Sequence, residues 1–273
     1  MPELIEDIEF TIFDTETTGL NPGSGDRIVE LAGVRIKGKE RIGLYQSFVD
    51  PEREISEAAF AVNKITPAML KGAPPAKKVL PDFLKFCAGT CLCSYNAGFD
   101  LEFLNNELKI IGAGHLKDFM VVDVLKMSRR LIPNLSRYAL WFVAESLGIK
   151  NKQEHRALSD VELTLDVFYR LKEILSAKGV YDFEHFTQLF SVDSDFLRSV
   201  IEQKAASIQE AIGLGAKLKI RYLATTGSEI SEREVIPKEV KHEKGRAYLI
   251  GFCNLKKEER TFRIDGILHL EIV

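Results

Sequence analysis

A short apolar run that ends in two acids constrains this chain more than any other stretch. Ile8 to Phe13, with Glu9 and Thr11 alternating, has the period of a β-strand with one well-buried face. It stops at Asp14-Thr15-Glu16-Thr17-Thr18-Gly19. Strand residues i and i+2 point to the same face, so Asp14 and Glu16 present two carboxylates side by side at the strand's end. Like charges that close raise a carboxyl pKa unless a cation sits between them. Oxygen ligands of this kind select hard divalent cations such as Mg²⁺ or Mn²⁺. An acidic strand end facing water would show the same two residues, so the rest of the chain must decide.

The segments that follow read as strands interleaved with helices. Asn21 to Asp26 is a turn, Arg27 to Ile36 a second strand, Lys37-Gly38-Lys39 a turn, and Tyr45 to Val49 a third strand closed by Asp50-Pro51. Short connections between these three strands predict an antiparallel meander. Helical spacing is expected after Ser56, over Val79 to Phe86, over Phe99 to Ile111, over Val124 to Leu131 and over Arg137 to Leu147, with strands at Cys91 to Tyr95 and from Phe119. Asp160 to Leu175, apolar at 161, 163, 165, 167, 168, 171, 174 and 175, predicts a long helix. This alternation defines an α/β class with a mixed sheet.

Around Ser176 to Gly179 the pattern changes. Residues 180 to 212 read as helical and polar-faced, as a connector would be. From Lys217 the period is two: Leu218, Ile220 and Tyr222, then Val235, then Ala247 to Cys253, then Thr261 to Ile264. Such short alternating runs predict a small all-β barrel. The expected organisation is therefore an α/β domain over 1–176, a helical connector over 177–212 and a barrel over 213–273.

Charge supports this division. From residue 213 onward twelve Lys and Arg face nine Asp and Glu, a net +3, while the remaining residues carry −6. An acidic front part suits a metal site, and a mildly basic tail suits a polyanion. No apolar run approaches transmembrane length, and the start of the chain lacks the basic flank and apolar core of a signal peptide, so a cytoplasmic protein without a membrane partner is expected. Cys87, Cys91, Cys93 and Cys253 make no disulfide framework in a chain of 273 residues. Cys91-Leu92-Cys93 has no matching Cys/His pair after it, so both cysteines are expected to line one face of a buried strand.

Two more acids fall at element boundaries. Asp100 follows the strand ending at Tyr95 and the turn Asn96-Ala97-Gly98-Phe99. Asp160 begins the long helix, five residues after His155 in His155-Arg156-Ala157-Leu158-Ser159-Asp160. An acid in a first helical turn also favours the helix dipole, which accounts for either residue singly. Jointly, all four acids sit where active sites of α/β folds collect.

Asp14-Thr15-Glu16-Thr17-Thr18-Gly19, then Asn96-Ala97-Gly98-Phe99-Asp100, then His155 and Asp160 with four residues between them, resembles the DEDDh 3′→5′ exonucleases, which include the epsilon proofreading subunit of bacterial DNA polymerase III. The resemblance covers roughly residues 6 to 176 and implies a ribonuclease H-like fold, a mixed sheet flanked by helices. It implies that Asp14, Glu16, Asp100 and Asp160 hold two Mg²⁺ or Mn²⁺ ions, and that His155 is the general base that takes a proton from the attacking water. Thr15, Thr17 and Asn96 would contact nucleotide or support the acids, or would serve only turn chemistry. Ser94-Tyr95 stands before Asn96 where many relatives carry a histidine. The reaction so implied is hydrolysis of a 3′-terminal phosphodiester of single-stranded DNA, with RNA as the other candidate, to a nucleoside monophosphate.

The tail has a resemblance of its own. Arg233 with Pro237, then Ala247 to Cys253, then Arg260-Thr261-Phe262-Arg263-Ile264 resembles a WYL domain, with Ala247-Tyr248-Leu249 at the naming tripeptide and Ala in place of Trp. These domains are small Sm-like or SH3-like barrels that bind nucleic acid or another ligand. The resemblance implies a polyanion-binding face of Arg233, Tyr248, Arg260 and Arg263, for either nucleic acid or a regulatory ligand; Arg forks match phosphates and an aromatic ring stacks a base. The other arrangement puts Tyr248 in the core and leaves the arginines as a solvated strand face. A regulatory binding protein with a vestigial nuclease domain remains the competing reading.

Overall fold

The computed structural model describes residues 2–114, 116, 119–150, 153–224 and 229–273. The opening strand, β1 (Glu9–Thr17), is the centre of a five-stranded sheet. β2 (Ile28–Lys37) and β3 (Glu40–Phe48) follow it as the antiparallel meander, and α1 (Glu57–Asn63) and α2 (Ala76–Cys87) come next. β4 (Cys91–Ser94) then returns parallel to β1, leads through α3 (Ala97–Ile110) to β5 (Val121–Asp123), and is parallel to it as well. The spatial order is β3-β2-β1-β4-β5, a mixed sheet as expected. α4 (Val124–Leu131), α5 (Leu140–Ser146), α6 (Ala157–Ala177) and α7 (Phe183–Phe190) complete this part.

Strand alternation divides the core into two layers. Phe10 and Ile12 of β1, with Ala32, Val34 and Ile36 of β2, pack against α4, α5, α6 and α7. Phe13 and Leu31 face the other way, onto Phe83 of α2 and Phe103 and Leu104 of α3. The segment expected to be a polar connector is helical but not merely connecting. Phe186, Leu189 and Phe190 of α7 are fully buried in the first layer, where Phe186 stacks edge-on against Phe10 at 5.8 Å and Phe168 at 6.3 Å. Helical period alone could not assign these aromatics, because the surface they cover lies on strands and helices distant in sequence. Cys91 and Cys93 are buried on β4 as free thiols, as expected.

The last helix, α8 (Ser194–Leu214), precedes a second five-stranded sheet formed by β6 (Leu218–Leu223), β7 (Ile230–Glu243), β8 (Arg246–Cys253), β9 (Glu258–Arg263) and β10 (Ile267–Ile272). All its pairings are antiparallel, in the order β10-β6-β7-β8-β9. It is an open sheet rather than the closed barrel expected. Ile208 and Ala211 of α8 pack with Leu218, Ile220, Val235, Leu249 and Phe262, so a helix covers the apolar face that barrel closure would otherwise bury. The two units touch: Gln188 Nε2 donates to the Ile267 carbonyl at 2.7 Å, and Arg221 Nη2 to the Gly179 carbonyl at 2.6 Å. Among the described residues no helix is long and apolar enough to cross a membrane.

Candidate active site

β1 runs through the middle of the first sheet and delivers its acids at its carboxyl end. Asp14 and Glu16 share the face of Phe10 and Ile12, the face that α6 covers. α6 places Asp160 in its first turn, and one carboxylate oxygen from each of Asp14, Glu16 and Asp160 lies within 4.8 Å of the other two. Asp160 is 4 % exposed, and its Oδ1 has no hydrogen-bond partner among the described residues. A buried carboxylate oxygen without a donor costs folding free energy unless something else satisfies it. A divalent cation ligated by oxygen fits that deficit and this donor set.

Asp100 comes from the other layer. α3 packs on the Phe13 face of β1, and Asp100 Oδ1 accepts from Thr15 N at 3.0 Å and Thr15 Oγ1 at 2.7 Å, while Ser94 Oγ donates to Oδ2. Thr15, the odd residue between the two acids, thus points to Asp100 and orients it. Asp100 therefore stands beside the trio rather than inside it, and its charge contributes to raising the pKa of Asp14.

His155 is backbone-strained, with φ at 52°, and its side chain is 47 % exposed. Its Nδ1 lies 3.9 Å from Asp160 Oδ2, the same oxygen that accepts from Gln153 Nε2 at 2.7 Å. Thr17 Oγ1 donates to the Gly19 carbonyl at 2.6 Å, closing the turn after the strand. That turn needs a glycine: a Cβ on Gly19 would meet the Asp26 carboxylate at 2.3 Å, and Asp26 is held by Thr18 Oγ1 and by Asn21 N. Asn96 is exposed in the left-handed region (φ 68°), and its N–H donates to Asp123 Oδ1 at 3.1 Å. Beside Glu16 opens a cavity of about 650 Å³ whose walls include Leu20, Val62, Asn63 and Phe99. An apolar slot with polar ends next to a metal-binding trio has the character of a nucleotide pocket.

Two buried ion pairs, which no sequence pattern singled out, anchor both acid-bearing helices to β2. Glu30 is fully buried and accepts from Arg156 Nε at 3.0 Å, Arg156 Nη2 at 2.9 Å, Ala157 N at 3.2 Å and Gln46 Nε2 at 3.0 Å. This fork clamps the start of α6 between His155 and Asp160. Glu107, 1 % exposed on α3, takes a matching fork from Arg27 at 2.7 and 2.9 Å. The available signal was an acid inside an otherwise apolar strand, Ile28-Val29-Glu30-Leu31, since a buried charge demands a partner.

The cluster holds its protons well above the usual carboxylate range. Burial is the main cause for Asp14, followed by the charges of Asp100, Asp160 and Glu16. Burial and then Asp160 push Glu16 up to about 8. Burial also raises Asp100 and Asp160, against the hydrogen bonds from Ser94 and Gln153 respectively. A carboxyl whose folded pKa lies above its unfolded value keeps its proton longer in the folded chain, so raising the pH through that interval penalises folding. The metal-free protein is therefore expected to lose Tm from pH 5 toward pH 8, and the Tm gain from added Mn²⁺ to grow over the same range. Thermal scans with EDTA and with Mn²⁺ test this; a Tm gain independent of pH would contradict it.

In the second unit the four residues expected to make one face do not share one. Tyr248 of β8 pairs across the ladder with Arg263 of β9, and both lie on the outer face. Arg260 pairs with Gly251, on the face of Leu249 and Phe262, and is bound to Glu258 at 2.7 Å. Arg233 shares the face of the buried Val235 and donates to Ser231 Oγ. Alternation along the strands separates the two pairs.

With this geometry in view, comparison with known proteins is decisive. The family model "Exonuclease" matches residues 11–168, more than half of the chain. The chain belongs to the exonuclease family. A second model, "WYL domain", matches residues 203–272, so the exonuclease domain is followed by a WYL domain. Among curated relatives, the PolC-type DNA polymerase III of Caldanaerobacter subterraneus subsp. tengcongensis is 36% identical over 172 residues, 63% of this chain and 12% of that protein. That of Staphylococcus aureus is 29% identical over 217 residues, 80% of this chain and 15% of that one. The chain thus spans less than a sixth of these relatives. Exonuclease X in complex with 5′ overhanging duplex DNA is 25% identical with a TM-score of 0.50, over 63% of this chain and 93% of that one. E. coli exonuclease I with single-stranded DNA matches 90% of this chain and 55% of that one with a TM-score of 0.58 at 17% identity, a likeness of fold.

Proposed function

We propose that the protein releases nucleoside monophosphates one at a time from the 3′ end of single-stranded nucleic acid, DNA in preference to RNA, using two Mg²⁺ or Mn²⁺ ions. The observation that carries this reading is the Asp14, Glu16 and Asp160 trio with the partnerless, buried Asp160 Oδ1. Asp14, Glu16 and Asp160 would hold the ions, with Asp100 as the fourth ligand through Oδ2, which keeps a lone pair beyond the one used by Ser94, while Thr15 takes both on Oδ1. Bound ions would neutralise charge developing on the attacking and leaving oxygens of an in-line displacement. The slot of Leu20, Val62 and Phe99 would receive the terminal base, with the Thr17 turn beside its sugar. His155 turns Nδ1 toward Asp160, which leaves Nε2 to take the proton of the attacking water.

Residues 1–176 would form the catalytic domain and 213–273 the binding domain. Residues 177–212 would join them by lending α7 to one core and α8 to the other. Tyr248 and Arg263 would serve the second domain as a paired contact for a base and its phosphate.

A gel assay with 5′-labelled and 3′-labelled single-stranded DNA and RNA, with Mn²⁺ or EDTA, tests the activity. Stepwise shortening of the 5′-labelled strand and release of labelled mononucleotide from the 3′-labelled one, both only with Mn²⁺, are expected. Salt-sensitive binding without cleavage would favour the vestigial reading instead. His155→Ala is expected to lower kcat about 10²–10⁴-fold while leaving the Mn²⁺ midpoint unchanged, as loss of a general base does. An unchanged pH–rate profile in this variant would remove His155 from that role.

A further inference from the structure

One strongly basic cavity lies away from the carboxylates. Its volume is about 340 Å³, and it opens where the exonuclease domain meets the second sheet. Lys126, Arg129 and Arg130 of α4 line one side, Arg246 and Arg263 of β8 and β9 the other, with Asp123 as the acid in the wall. Neither domain alone brings these five cations together.

One of them, Arg130, is not fully satisfied by the described residues. Arg130 is 5 % exposed, and among the described residues its Nε has no hydrogen-bond partner; its Nη2 reaches only the Leu223 carbonyl at 3.3 Å. Lys126 donates to the Ser191 carbonyl at 3.0 Å. Burial pushes its pKa down to about 8, with Arg130 and Arg263 adding to the fall and Asp265 and Asp123 opposing it. Among the described residues Arg263 is the one guanidinium of the four held by a carboxylate fork, on Asp265. Asp123 is turned to backbone amides, those of Leu125 at 2.8 Å and Asn96 at 3.1 Å, rather than to the cations. A buried guanidinium whose Nε lacks an acceptor, beside further cations, costs free energy that an anion in the cavity would return.

We propose that this junction is a phosphate-binding site, shared by the two domains and separate from the metal-binding trio. Planar guanidinium forks match phosphate oxygens bidentately, and a lysine adds a point charge. An internal phosphate of a bound strand or the phosphate of a free nucleotide supplies the same chemistry. The wall is also tied to the catalytic domain's own machinery, because Asp123 holds the N–H of Asn96, the residue that caps the helix bearing Asp100. The proposal goes beyond the hydrolytic reading and does not depend on it, since binding is measured without hydrolysis.

The test uses the full chain in EDTA with Arg129→Ala/Arg246→Ala. Both residues are exposed, so the fold is expected to survive; an unchanged Tm checks this. Probes are 5′-fluorescein oligo-dT of about four and about a dozen nucleotides, within the usual span of single-strand sites, and dTMP. If a strand phosphate occupies the site, the double variant binds the long oligonucleotide about tenfold more weakly, with a salt slope shallower by about 1.4, two contacts at ~0.7 each. The short one is then unaffected. If a free nucleotide occupies it, dTMP affinity falls and oligonucleotide binding holds. Arg129→Lys/Arg246→Lys keeps the charge and so restores the salt slope, but regains only part of the affinity in either case. Unchanged affinity for all three probes would overturn the site.

Discussion

Asp160→Asn is expected to reduce metal-dependent hydrolysis by on the order of 10³-fold or more, equivalent to about 4 kcal/mol of transition-state stabilisation. The substitution keeps the size of the side chain and its bond to Gln153 but removes charge from the trio member whose buried Oδ1 has no hydrogen-bond partner among the described residues. Asp14→Asn should behave alike in activity and differently in stability. Asp14 is raised by burial and by four neighbouring acids, Asp100, Asp160, Glu16 and Glu30, so the neutral amide relieves a repulsion that the metal-free protein carries at pH 8. Its Tm in EDTA at pH 8 should therefore exceed that of the unmodified chain, and its Tm in Mn²⁺ should fall short of it. Activity retained in either variant would falsify the assignment of the site. A lowered Tm in EDTA for Asp14→Asn would mean that the carboxylate has a structural partner instead.

The second large effect is expected at Glu30, which touches no substrate. Removing one member of a buried, hydrogen-bonded ion pair costs about 3–5 kcal/mol, because the partner's donors are stranded. In Glu30→Ala the N–H of Ala157, Gln46 Nε2 and the Arg156 fork all lose their acceptor. Since Arg156 sits between His155 and Asp160 in the chain, loosening it displaces both. Urea unfolding should show the destabilisation. Glu30→Gln retains an acceptor and the volume, so it should recover most of the stability while kcat stays depressed. Full activity in a folded Glu30→Ala would show that α6 is positioned by its apolar packing alone.

The contrast between these residues explains which parts of the protein were legible. Asp14, Glu16, Asp100, Asp160 and His155 all lie at the ends of elements whose periods are clear, so motif and local pattern reinforced one another. The meander, the strand at β4 and the change of period after residue 216 were legible for the same reason. Glu30 and Arg156 are 126 residues apart, and nothing local to either announces the other. Ile267 to Ile272 passed unread as a strand. Its pairing partner, β6, lies nearly fifty residues earlier, and the short run itself does not keep a clean alternation, with Ile267 and Leu268 both buried.

Side-chain period therefore determined, from sequence alone, what each segment is and that two carboxylates share a strand face. Only the tertiary structure decided which segments meet. It brought Asp160 to Asp14 and Glu16 from one side of the sheet and Asp100 to Thr15 from the other. It left the second sheet open beneath α8, because a helix supplied the apolar cover that strand closure would have supplied. It also divided Arg233 and Arg260 from Tyr248 and Arg263, since a ladder's register is set by long-range pairing, and a single residue of register decides which face a side chain takes.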